Sequence, residues 1–87
     1  MRIWFKQWQN NHMLADMVVT NDDDDDTRTH KIFDALTEVC EAWDLSKPIW
    51  LDANIKEFQT LAKTRFSQDN FIDQIEFDYL EIHVIEE

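Results

Sequence analysis

The chain of 87 residues contains no glycine, one cysteine, one proline and only eight lysines and arginines. Without glycine, neither a P-loop nor a dinucleotide-binding fingerprint can form, because both need backbone N–H groups to approach phosphate where a Cβ would intervene. A single cysteine, Cys40, excludes an intramolecular disulfide and a cysteine-based zinc site. No cationic start leads into a long apolar run, so neither a secretory signal nor a membrane span is expected, and the expected location is the cytoplasm. Cations are scarce beside nineteen Asp and Glu, and the net charge of −11 repels nucleic acid and anionic lipid while drawing in basic proteins at long range.

What is present argues for a folded chain. A hydrophobic fraction of 44% and an aromatic fraction of 13% are too high for a disordered polymer, and the length suits one hydrophobic core, so residues 1–87 are read as a single domain. The C-terminal stretch Ile75 to Ile85 alternates Leu80, Ile82 and Val84 with Tyr79, Glu81 and His83. A period of two puts three branched side chains on one face of a strand.

Arg2 to Gln9 and His12 to Thr20 are rich in β-favouring side chains, and the Asn10-Asn11 pair between them suits the positive φ angles of a two-residue hairpin loop. In a regular ladder Trp8 faces Met13, Lys6 faces Ala15, Trp4 faces Met17, Arg2 faces Val19, Phe5 faces Asp16 and Ile3 faces Val18. One face then collects Ile3, Phe5, Leu14 and Val18, the other Trp4, Trp8, Met13 and Met17. The first is expected to be core, because its branched residues match the C-terminal strand, and the second to be a partner-binding surface.

The acidic run Asp22, Asp23, Asp24, Asp25 and Asp26 repels itself and is read as a solvated loop, residues 21–26, ahead of a helix whose N-terminus favours negative charge. Thr27 to Trp43 carries Ile32, Phe33, Leu36, Val39, Cys40 and Trp43 at helical spacing, with Asp26 or Thr27 as cap. Pro48 stops that helix, and Ile49 or Trp50 anchors the connector. A second helix is expected from Ala53 to about Lys63, capped by Asp52, and a helical turn from Ser67 to Ile72 with Phe71 and Ile72 inward. The expected fold is α+β: a three-stranded antiparallel sheet, order ββααβ, with helices on one face and the last strand beside the first. The expected core is Ile3, Phe5, Val18, Ile32, Phe33, Leu36, Val39, Cys40, Phe58, Leu80, Ile82 and Val84.

No chemistry-bearing motif emerges. An EF-hand loop needs glycine at its sixth position and Glu at its twelfth, whereas the twelfth residue counted from Asp22 is Phe33. His12, His30, His83 and Cys40 match no zinc spacing. Cys40 lies on an apolar stripe and reads as a small core residue. Carboxylate pairs such as Asp69 with Asp73 arise by chance among nineteen acids. No metal, cofactor or catalytic residue is expected, and the chain is read as a non-enzyme.

Through four segments, R-I-W-F-K at Arg2 to Lys6, K-P-I-W-L-D at Lys47 to Asp52, T-R-F at Thr64 to Phe66 and F-D-Y-L-E-I at Phe77 to Ile82, the chain resembles, over nearly its full length, a family of small acidic bacterial proteins of unknown function. That resemblance implies a bacterial intracellular domain and transfers no site residue. Three functions stay open on the sequence. The first is a protein–protein interaction module with a basic protein partner. The second is an acidic nucleic-acid mimic that inhibits a basic DNA- or RNA-binding protein. The third is a small carboxylate-based enzyme. A homodimer is compatible with the first.

Overall fold

A computed structural model describes all 87 residues. The chain starts with a hairpin, β1 (Arg2–Gln9) and β2 (His12–Thr20). Its loop residues Asn10 and Asn11 have φ of 50° and 64°. In a chain with no glycine, asparagine is the residue whose short polar side chain best tolerates the left-handed region.

The ladder is not regular. Trp8 pairs with Met13 as expected, but Gln7 pairs with Ala15, so Leu14 is an extra residue on β2. Such a bulge shifts every later pair by one and swaps the faces of the bulged strand. Arg2 therefore meets Thr20, Ile3 meets Val19, Trp4 meets Val18, Phe5 meets Met17 and Lys6 meets Asp16. This corrects two expectations. Met17 and Val19 pack against the core, while Val18 points away from it and is exposed, as is Leu14.

Helix α1 (Arg28–Ala42) begins at Thr27, whose Oγ1 accepts the His30 N–H at 3.1 Å. It buries Ile32, Ala35, Leu36, Val39 and Cys40. Phe33 lies one residue round from that stripe and is 48% exposed, which corrects its assignment to the core. Its ring instead meets Trp50 edge-on at 6.1 Å. Trp50 anchors the connector against Phe58 at 5.4 Å and Phe66 at 4.9 Å, both edge-to-face, the preferred geometry of aromatic pairs.

Helix α2 (Asp52–Leu61) starts after Leu51, and Asp52 is its first residue, not its cap. Asn54, inside the first turn, reaches back to accept the Leu51 N–H at 3.2 Å. The helix ends at Ala62, in a left-handed conformation with φ 55°, whose N–H reaches Phe58 O at 2.8 Å. That reversal releases a strand the sequence pattern hid, β3 (Lys63–Phe66), with Thr64 and Phe66 buried and Lys63 and Arg65 outward. A 3₁₀ turn, Gln68–Asn70, follows. Phe71 points inward as expected, but Ile72 is 84% exposed. The last strand, β4 (Tyr79–Glu86), starts four residues later than the alternation suggested.

The architecture is α+β, with two helices and one antiparallel sheet of four strands in the order β2-β1-β4-β3. The last strand does lie beside the first; the fourth strand and the order around it correct the three-stranded ββααβ reading. The helices cover the face that carries Ile3, Phe5, Leu80, Ile82 and Val84, with Met1, Phe66 and Phe71 completing the core. A polar knot fastens the helical layer to the sheet edge. Asn54 Nδ2 donates to Thr64 Oγ1 at 3.0 Å and Arg65 O at 2.9 Å, and Asn70 Nδ2 donates to Asn54 Oδ1 at 2.7 Å and Ile49 O at 2.8 Å. No helix of the protein is long and apolar enough to cross a membrane.

Candidate functional site: the open sheet face

The sheet face turned away from the helices is organised by the strand register into three rows. Val18, Trp4, His83 and Lys63 form one; Asp16, Lys6, Glu81 and Arg65 form the second; Met13, Trp8 and Tyr79 form the third. Leu80 shares the opposite face with Phe5 and Ile82, so no helix covers Trp4 or Trp8. Of the partner-binding residues expected from sequence, Trp4, Trp8 and Met13 lie here together. Met17 does not: the Leu14 bulge turns it inward and puts Val18 in its place.

The middle row alternates in charge across four strands. Glu81 is only 4% exposed although it faces outward, because its neighbours close over it. Lys6 Nζ meets its Oε2 at 3.0 Å and Arg65 Nε its Oε1 at 3.1 Å. Burial acts to raise this carboxyl's pKa, but the hydrogen bonds and charges of Lys6 and Arg65 outweigh it and hold the group below the usual carboxylate range. Glu81 is thus the shared counter-ion of Lys6 and Arg65. This pair accounts for Arg65, whose guanidinium serves a core-flanking acid.

The two cations are in turn roofed by aromatic rings. Lys6 Nζ lies 3.6 Å from the Trp4 centroid and 6.0 Å from that of Trp8, and Arg65 Cζ lies 4.4 Å from Tyr79. Each such contact contributes about 0.5–2 kcal/mol, more as water is excluded. Trp4 Nε1 donates to Asp16 Oδ2 at 2.9 Å, and Trp8 tilts against Tyr79 with centroids 6.4 Å apart. Trp8 Nε1 is buried with no acceptor. Trp50 Nε1, among the core aromatics, is in the same state. His83, half-buried beside them, is held below its ordinary pKa by burial and then by the nearby Lys6 and Lys63.

Charge is segregated on the molecule. Arg2, Lys6, Lys63 and Arg65 share the open face and its rim with Asp16, Glu81 and Glu86, Arg2 meeting Glu86 at 3.4 Å. The acid excess therefore lies on the helices and loops. In the run Asp22 to Asp26, Asp22 reaches the Met1 ammonium at 3.2 Å, Asp23 accepts the Asp25 N–H at 3.0 Å and Asp26 accepts that of Thr27 at 2.9 Å. Asp22 to Asp25 are exposed.

Asp26 also pairs with His30, and Asp34 lies 3.5 Å from the same ring. These three residues bring ligand-type atoms within 4.8 Å of one another, but His30 and Asp34 are exposed and Asp26 already engages the ring. The hydrogen bond to Asp26, then the charges of Asp26 and Asp34, raise the His30 pKa above 6.5. Stability from this pair is present below that value and is lost as pH rises through the raised one. An NMR titration is expected to place the His30 midpoint above 6.5, and Asp26→Asn to move it back down; an unmoved midpoint would break the assignment. Cys40 is buried, and burial pushes its thiol up to about 11, the behaviour of an inert core residue. No known protein family, no curated protein and no solved structure matches this chain.

Proposed function

We propose that the chain is a non-enzymatic protein-interaction module of the bacterial cytoplasm that docks a basic partner protein on its open sheet face. One observation carries the reading: a ring-covered, nearly charge-balanced face left bare on a molecule of net charge −11. Interface centres are enriched in Trp, Tyr, Met and Arg and depleted in Lys, Glu and Asp; Trp4, Trp8, Tyr79, Met13 and Arg65 supply the enriched set, and Lys6 and Glu81 are taken up by their mutual ion pair. The helices and loops provide the long-range field that steers a basic protein in, and the face provides the contact that holds it.

The test is capture of a partner by the intact chain at low and high salt. A partner retained at high salt is expected to be lost from Trp8→Ala, with affinity reduced about 30-fold or more, the effect of removing a central aromatic anchor. Met13→Lys, at an exposed position that shields nothing, is expected to weaken the same partner without disturbing the fold. A partner held only at low salt and displaced by nucleic acid overturns the reading in favour of a nucleic-acid mimic. That second reading draws on Asp34, Glu38 and Glu41, exposed on α1, together with Asp22 to Asp25.

A further inference from the structure

A groove of about 300 Å³ lies between α1, the Trp50 connector and α2. Buried Ile32 and Phe58 and half-buried Trp50 line it, together with Phe33 and Ile55, which the fold leaves exposed. A water takes about 30 Å³ of liquid, so the groove holds roughly ten non-hydrogen atoms. That suits a small molecule and not a strand or helix of another protein.

The charge of the groove is opposite to that of the molecule. On a chain of net charge −11, the one charged residue among those lining it is a cation, Arg28. Its guanidinium lies over the Phe58 ring, with Cζ 5.4 Å from the centroid. It already holds a carboxylate: Arg28 Nε and Nη2 donate to Glu87 Oε1 and Oε2 at 3.1 and 3.3 Å. This two-pronged contact is the one by which arginine selects carboxylates. Both side chains are well exposed, at 46% and 62%, so the pair adds little to stability and its carboxylate is exchangeable.

We infer that the groove binds a small aryl monocarboxylate, whose carboxylate takes the Arg28 fork in place of Glu87 while its ring packs among Phe33, Trp50 and Phe58. The volume, the aromatic lining and the carboxylate that Glu87 seats on Arg28 together name this occupant. Phe33 and Phe58 each meet Trp50 edge-on, at 6.1 and 5.4 Å, and a further ring extends the same edge-to-face set. The site belongs to the helical layer and does not rest on the partner of the open sheet face.

Titration of the full chain with indole-3-acetate, followed by NMR at the Trp50 indole N–H, tests the assignment. A saturating shift with a Kd of about 1 mM or tighter is expected. Indole-3-acetamide, of the same shape without the charge, is expected to bind about tenfold more weakly, and so is indole-3-acetate to Arg28→Gln. Octanoate, with the charge but no ring, is expected to bind more weakly than indole-3-acetate. Glu87→Gln removes the internal competitor and is expected to bind about threefold more tightly, with no such gain once Arg28→Gln is also present. Thermal midpoints of the two exposed variants are expected to stay near wild type, which separates loss of the site from loss of the fold. No saturation up to about 10 mM, equal binding of the amide or of octanoate, an unaffected Arg28→Gln or a Glu87→Gln that binds no more tightly overturns the proposal. So does the same shift on raising the protein concentration alone, which would give the groove to a second copy.

Discussion

Replacing Asn54 by leucine is expected to lower the midpoint of thermal unfolding by about 15–25 °C. Leucine keeps the branched heavy-atom skeleton of asparagine but none of its polar atoms, so the loss comes chiefly from groups left without partners. Those groups are the Leu51 N–H at the start of α2, the Thr64 hydroxyl, the Arg65 carbonyl and the Asn70 amide. Each buried orphan costs about 1–3 kcal/mol. Relaxation and water will satisfy some of them, which leaves roughly 3–4 kcal/mol, and a domain of this size moves about 4–8 °C per kcal/mol. Total stability at this length is on the order of 4–13 kcal/mol, so one side chain governs a large share of it. The same amide ties four segments: the connector, the first turn of α2, β3 and the 3₁₀ turn. Calorimetry of the variant decides the matter; a shift below about 5 °C would show that these groups find other partners. Gln59→Leu, at an exposed position on the same helix, should move the midpoint very little.

That knot also shows where the sequence is readable and where it stops. The hairpin, the long helix and the parity of the last strand are set locally. Asn10 and Asn11 accept positive φ, Thr27 caps, and the stripe from Ile32 to Cys40 and the alternation of Leu80, Ile82 and Val84 have one period each. What could not be read depends on residues far apart in the chain. Asn54 and Asn70 are ordinary polar residues until 16 positions of separation close into a hydrogen bond. Strand β3 spans four residues, too few for a period of two to stand out beside a helical pattern. The bulge is one extra residue without a compositional signature, yet it decides that Val18 and not Met17 joins the open face. The candidate surface was therefore legible in its tryptophans, which lie on the unbulged strand, and wrong at the one position downstream of the bulge.

Glu81 marks the same boundary from the functional side, and it carries the second large effect. Alternation placed it on the outward face, where it is; its burial comes from Lys6, 75 residues away, and Arg65 on the edge strand. Glu81→Leu would leave the largely buried Lys6 ammonium without the carboxylate it meets at 3.0 Å, while Arg65, with its side chain 56% exposed, keeps its water; losing one partner of a buried pair costs about 3–5 kcal/mol. The pH dependence separates this from simple loss of packing. The folded carboxyl is held below its unfolded value by Lys6 and Arg65. Its contribution to stability is therefore complete above the unfolded pKa, about 4.3, and is lost as pH falls through the depressed folded value. Urea midpoints for the wild type and Glu81→Gln should differ most above pH 5 and converge below pH 4, whatever the other eighteen acids contribute to both. A difference that stays constant with pH would mean that the charge of Glu81 is not what stabilises the fold. Because Lys6 lies against the Trp4 ring and Glu81 holds Lys6, the aromatic face should keep its anchor until pH falls below the ordinary carboxylate range. That face should then change only below the ordinary carboxylate value, about 4.3, because its anchor persists until Glu81 takes up a proton.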